Sequence, residues 1–224
     1  MKPKTLDHVA LWVADRDPIA ERLTAHFGMH VIERTDAFTL VGADARRFKL
    51  TLFAAEGPRE RGAFKHVALR VSDLELAWAG LPEGSGDEVE LGEGLRVLLV
   101  EGETDVDYDL DHVALYTRDP RRTAEEYTKL GFDGADPGDD GSPRVEVGGA
   151  YLEFHPGGPE VTERPLLNHV AVLVDSADRH TAEAEEMGIV ESVVDAANTR
   201  AVFVWGPDHV RIEYVEHKPT FSLR

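Results

Sequence analysis

The chain has 224 residues, 42% of them hydrophobic and 30% charged, enough for one large domain or two small ones and too apolar for disorder as its main state. It has no cysteine, which excludes disulfides, thiolate metal sites, iron–sulfur clusters and a cysteine nucleophile, so any metal must be held by nitrogen and oxygen. A formal charge of -19 makes nucleic acid and anionic membrane poor partners. No apolar run approaches a membrane span, and Met1-Lys2-Pro3-Lys4-Thr5 lacks a secretory signal's apolar stretch, so a soluble, cytoplasmic location is expected.

The first element is a strand, Leu6-Asp7-His8-Val9-Ala10-Leu11, and the same six letters return as Leu110-Asp111-His112-Val113-Ala114-Leu115. Two weaker copies, Phe64-Lys65-His66-Val67-Ala68-Leu69 and Leu167-Asn168-His169-Val170-Ala171-Val172, divide the chain into four modules grouped in two pairs. After the first strand, Asp17-Pro18 signals a helix start with an acidic N-cap, and Gly28 signals its end. A strand over Phe48-Lys49-Leu50-Thr51-Leu52-Phe53 closes the module.

The second module is a shortened copy with a weak helix over 73–81, and 101–109, with five acids in nine residues, reads as the linker between halves. In the third, Asp119-Pro120 and Gly131 bound a helix, a loop covers 133–143, and Ala150-Tyr151-Leu152-Glu153-Phe154 is a strand. In the fourth, the helix stops at Gly188, and strands follow at Ala201-Val202-Phe203-Val204 and Val210-Arg211-Ile212-Glu213-Tyr214. Each module is therefore β-α-β-β-β, with bounds 5–56, 62–102, 109–158 and 166–217.

These repeats resemble the vicinal oxygen chelate superfamily, which includes glyoxalase I, bleomycin-resistance proteins and extradiol dioxygenases. The resemblance spans nearly the whole chain and implies an α+β fold of four βαβββ modules in two paired half-barrel domains, 1–102 and 109–218. It is similar in layout to extradiol dioxygenases, with the working site in the second pair, and implies a non-catalytic first pair.

The residues themselves place a divalent-metal site in the second half. His112 and His169 are equivalent repeat positions. Alternation along the closing strands turns Leu152, Phe154, Ile212 and Tyr214 toward the helices and Glu153 and Glu213 into the cleft. Two imidazoles and one or two carboxylates suit Fe2+, Mn2+, Ni2+ or Zn2+, with Fe2+ first for a dioxygenase. In the first half the aligned positions carry Thr51 and Leu98, so His8 and His66 are expected to be hydrogen-bonded core residues of a pseudo-site.

The expected activity is that of an enzyme acting on a small substrate with adjacent oxygens, extradiol-dioxygenase-like in architecture, and a homo-oligomer is an open option. Alternatives are a glyoxalase-like isomerase or lyase using a His/Glu/His/Glu set, and a metal-free ligand-binding protein of the bleomycin-resistance kind. Against the dioxygenase pattern, Phe203 stands where the resemblance implies a tyrosine, and the implied active-site histidine falls near Gly149 or Ala150. His155 and His209 are candidate acid–base residues in their place, and Tyr151, Phe203 and Arg211 are candidate substrate contacts.

Overall fold

In the computed structural model, the described residues are 1–43, 48–82, 86, 88–157 and 162–223; the last residue of the third module, 158, lies outside them. The first module comprises β1 (Thr5–Val13), α1 (Arg16–His26), β2 (His30–Arg34), β3 (Phe38–Gly42) and β4 (Lys49–Ala54). The second is shorter, with β5 (Phe64–Val71), α2 (Leu74–Ala79), β6 (Glu88–Gly92) and β7 (Leu95–Glu101). The third contributes β8 (Asp109–Thr117), α3 (Pro120–Lys129), β9 (Asp133–Gly134), β10 (Arg144–Val147) and β11 (Ala150–Pro156). The fourth ends the chain with β12 (Leu167–Leu173), α4 (Ala177–Met187), β13 (Val190–Asp195), β14 (Thr199–Trp205) and β15 (Arg211–His217).

Helix signals act where they were expected, with one displacement. The Asp119 side chain caps α3 by accepting from Arg122 N–H, with Pro120 first in the helix. In α1 the cap is Asp15, which accepts from Asp17 N–H, so Pro18 falls inside the first turn, where its missing N–H is equally harmless. Gly28, Gly131 and Gly188 all have positive φ just past their helices.

The strands form two sheets, ordered β13-β14-β15-β12-β1-β4-β3-β2 and β6-β7-β5-β8-β11-β10-β9. These sheets do not follow the two halves of the chain. The first module shares a sheet with the fourth, and the second with the third. Antiparallel pairs β1/β12 and β5/β8 join them, with Val9 opposite Val170 and Val67 opposite Val113. All four opening strands carry the same His-Val-Ala pattern, so any two can pair about the central valine, and local sequence does not select the partner.

Within each module the first and last strands run parallel, in one repeated register. Ala10 faces Thr51, Ala68 faces Leu98, Ala114 faces Glu153 and Ala171 faces Glu213. One contiguous apolar cluster collects the helix-facing side chains of both sheets, Leu152, Phe154, Ile212 and Tyr214 among them. The Phe154 ring lies 5.0 Å from Tyr127 of α3, and Tyr214 stacks on His180 of α4 at 5.6 Å. Period-two alternation therefore leaves Glu153, Glu213 and the histidines on the opposite faces. No helix among the described residues is long and apolar enough to cross a membrane.

The β10–β11 turn packs against the start of β1 at Gly148. Its φ is 60°, and a Cβ there would come 2.2 Å from the Lys4 carbonyl oxygen and 2.8 Å from Thr5 Cα. Gly148→Ala is expected to destabilise by about 2–4 kcal/mol, from left-handed strain plus overpacking. Thermal denaturation checks this; an unchanged Tm would show that the β1 start yields at no cost.

Candidate metal centre

On the eight-stranded sheet, His8 of β1 and His169 of β12 turn their Nε2 atoms toward each other at 3.0 Å. The Glu213 Oε2 of β15 lies 2.9 Å from His169 Nε2 and 3.2 Å from His8 Nε2. This triangle has edges near 3 Å. Donors at right angles about one ion, with bonds of about 2.1 Å, also stand about 3 Å apart, so the three atoms fit one face of an octahedral cation. His169 and Glu213 are buried and His8 nearly so.

Both imidazoles are held from behind. His8 Nδ1 pairs with Asp7 Oδ2 at 2.8 Å, and His169 Nδ1 with Asn168 Oδ1 at 2.9 Å. A carboxylate or amide oxygen on Nδ1 fixes the tautomer that leaves Nε2 free as a ligand. Asp7 is in turn gripped by Lys49 Nζ at 2.8 Å and His217 Nε2 at 3.1 Å. The residue before the histidine thus fixes the ring at His8 and His169, and the third repeat does the same: Asp111 holds His112 Nδ1 at 2.7 Å.

The charges respond to this packing. Burial alone would push Glu213 up, but His169 and His8 bring its carboxyl down to about 2. Burial alone would push His8 down, yet Asp7 and Glu213 raise it to about 9, while His169 is lowered by burial.

The four metal ligands expected in the second half are divided between the sheets. His169 and Glu213 meet His8, whereas His112 and Glu153 lie on the seven-stranded sheet with His66. His8 and His66 are therefore not confined to the core role expected of them. Each joins a histidine from the other half, because the sheets pair modules crosswise.

The remaining expected site residues also divide. Phe203 lies beside the first cluster, its ring 5.2 Å from His169, with the Arg211 guanidinium 3.9 Å over it. Arg211 also donates to Glu191 Oε2 at 2.6 Å. His209 is exposed in a 3-10 turn with φ 58°, so it does not continue the register of Glu213 as the alternation suggested. Tyr151 sits on the seven-stranded sheet under Arg144, at 4.2 Å. His155 is on the face of Glu153 as expected, 2.9 Å from it.

Unnoticed in the sequence were Trp12, Phe38 and Phe53, which form a wall beside the first cluster with ring separations of 5.3 and 5.7 Å; Phe53 lies 6.2 Å from His169. Strand alternation could have revealed them, since Phe53 shares a face with Thr51. Nearby, a pocket of about 380 Å³ is lined by Trp12, Asn168, Trp205, His209 and Arg211.

In the metal-free protein the two sheets should answer pH in opposite senses. The folded pKa of His8, about 9, is above its ordinary 6.5, so its contribution is complete below pH 6.5 and lost as pH rises through 9. Burial, with nearby His112 and Lys65, pushes His66 down to about 3, so stability is lost as pH falls from 6.5 toward 3. Thermal scans across pH should show His8→Asn flattening the alkaline arm and His66→Asn the acid arm.

No curated protein matches the chain. A protein from Bacillus subtilis subsp. subtilis str. 168, provisionally described as a dioxygenase, shares 14% identity with a TM-score of 0.77, over 97% of this chain and 86% of that one. Glyoxalase I from Zea mays shares 18% identity with a TM-score of 0.73, over 95% and 92%. The cppA protein from Streptococcus pneumoniae TIGR4 shares 13% with a TM-score of 0.63, over 96% and 98%. At these identities the likeness is one of fold. A family profile matches residues 5–93 and 109–214, and with the repeated modules and two-sheet architecture it establishes that the chain belongs to the Glyoxalase/Bleomycin resistance protein/Dioxygenase superfamily.

Proposed function

We propose that the chain is a divalent-metal-dependent enzyme of this superfamily, acting on a small substrate with adjacent oxygens at a centre formed by His8, His169 and Glu213. The observation that carries this reading is the near-equilateral triangle of Nε2, Nε2 and Oε2 atoms, of edge 2.9–3.2 Å. A two-histidine, one-carboxylate set suits Fe2+ first and leaves coordination positions for substrate. A bound ion would supply Lewis acidity that lowers the pKa of a chelated hydroxyl.

The chain's own residues do the rest. Asp7 and Asn168 fix the two imidazoles, and Trp12, Phe38, Phe53 and Phe203 give the cleft apolar walls that exclude water and favour a flat substrate. Arg211, at the rim and paired with Glu191, packs its guanidinium over Phe203.

Dioxygenase-like chemistry is favoured over the isomerase reading because Thr51 stands in register where a second acid would be needed to carry a proton between neighbouring carbons. Anaerobic loading with Fe2+ followed by oxygen-electrode assay with a catechol tests this. Oxygen uptake that depends on both metal and catechol is expected. Bound metal without oxygen uptake would favour an isomerase, and absence of bound metal would favour a ligand-binding protein.

A further inference from the structure

The linker from the first module to the second, 55–63, runs beside the segment that enters the fourth, 162–166. Glu60 N–H donates to the Arg164 carbonyl at 2.9 Å and Leu166 N–H to the Glu60 carbonyl at 2.7 Å, about a parallel bridge between Glu60 and Pro165. Three arginines stand on this short pairing. Arg59 lies 5.7 Å over the Trp12 ring of the eight-stranded sheet, and Arg61 lies 5.8 Å over the Tyr116 ring of the seven-stranded sheet, 3.4 Å from its hydroxyl. Trp12 and Tyr116 are equivalent repeat positions, each four residues after its histidine, so one arginine is stationed on each sheet. Arg164 completes the group: a Cβ on Gly57 would come 3.2 Å from its Nη2.

In a chain of charge -19 these cations stand apart. Arg34, Arg70, Arg96, Arg122, Arg200 and Arg211 all pair with carboxylates. Among the described residues Arg59, Arg61 and Arg164 have no such partner, and the Arg59 Nε is buried without a hydrogen-bond acceptor. A buried donor left unmade is costly, the more so on a charged group, and gathering like charges adds repulsion. Arg59 and Arg61 line a pocket of about 530 Å³ with Ala14, Pro58, Glu93 and Leu166. Glu93 does not neutralise them, because its two oxygens accept from Ala14 N–H and Asp15 N–H, each at 2.7 Å. This pocket shares no lining residue with the one of about 380 Å³ beside the first centre.

We propose that this pocket is a second ligand site, which takes a small molecule with an oxyanion head, a carboxylate or a phosphate, and an apolar body. A guanidinium fork matches two oxygens of such a head. Arg59 presents a donor already stripped of water, so an acceptor there completes a bond that the protein itself does not make. Ala14, Pro58 and Leu166 offer apolar contact to the body, and the volume is that of a small-ligand pocket. A head held by Arg59 and Arg61 together ties the linker across both sheets. The site does not depend on the activity proposed for the metal centre.

The test is calorimetric titration of chelator-stripped full-length protein with phenyl phosphate, benzoate, phenol and benzylamine at fixed ionic strength. Stripping keeps the anions from binding through a metal at the first centre. One saturable event per chain is expected for phenyl phosphate, benzoate or both, at least about 10-fold tighter than phenol, with no binding of benzylamine. The tighter anion identifies the head group. Arg59→Gln should weaken the event about 10-fold or more, Arg61→Gln about 5-fold, and the double variant should lose it. Arg121→Gln removes the same charge from an exposed position on α3 outside the pocket and should leave binding unchanged. Circular dichroism checks the fold. Should Arg59→Gln fail to fold, the exposed Arg61 decides: weaker binding in Arg61→Gln supports the site, and no change overturns it. Binding that survives the double variant, equal binding of phenol, an equal loss in Arg121→Gln, or no saturable binding of either anion at millimolar concentration overturns the site.

Discussion

Replacing Glu213 by Gln should reduce divalent-cation affinity at the His8–His169 centre by more than about 100-fold, beyond the effect typical of removing a residue that only supports a ligand. The substitution keeps the shape of the side chain and removes its charge. Glu213 is the carboxylate that lies against both Nε2 atoms, at 2.9 and 3.2 Å, and its ionised state is secured well below neutral pH. Without it, two imidazoles remain, too weak a set for a divalent ion in a water-poor cleft. Because His8 holds a proton at neutral pH in the metal-free protein, cation uptake must displace it, so affinity should rise as pH approaches 9. Titration calorimetry in buffers of different ionisation enthalpy checks both points. Thr51→Ala is the contrast: its hydroxyl is in register but outside the triangle, and affinity should change little. Retained tight binding in Glu213→Gln would place the cation elsewhere.

Asp7→Leu should be the most destabilising single change near the site, costing about 3–5 kcal/mol. Asp7 and Lys49 are among the most buried charged side chains, 3% and 1% exposed, and Asp7 also meets His8 and His217. Removing the carboxylate strands the Lys49 ammonium in the interior beside the Phe221 ring, which lies 5.7 Å away. At about 2–4 °C per kcal/mol for a chain of this size, Tm should fall by about 10 °C. Stability and cation binding should then separate in the double variant. Asp7→Leu/Lys49→Met leaves no stranded charge and should recover most of the lost Tm. Cation affinity should stay about 10- to 100-fold low, because His8 Nδ1 still lacks its partner. A double variant as unstable as the single would show that Asp7 acts through His8 and His217 rather than through Lys49.

The expected behaviour of both variants depends on which modules share a sheet, and here sequence and structure part. Alternation along the closing strands and alignment of the repeats correctly couple Glu153 with His112 and Glu213 with His169, because both members of each couple belong to one module. Chain order also makes His112 and His169 the expected partners, with His8 and His66 as core histidines, but this holds only where neighbours in the chain are neighbours in the sheet. The crosswise pairing gives each cleft two histidines and one glutamate, and two sets of donors result where one was expected. His209 failed for a different reason: its positive φ places it in a turn, and period-two counting does not extend across a turn.

From the sequence alone came the repeat unit, the cleft-facing or core-facing sense of each closing strand and the nitrogen–oxygen chemistry of the donors. All three are local, since the period of a strand and the cap of a helix are fixed by residues a few positions apart. The tertiary structure alone decided which opening strands meet. Four nearly identical strands compete for the same antiparallel partner, and their local energies are too alike to select one. The choice falls to the packing of unlike helices and outer sheet faces in the shared apolar cluster, where distant parts of the chain are first compared.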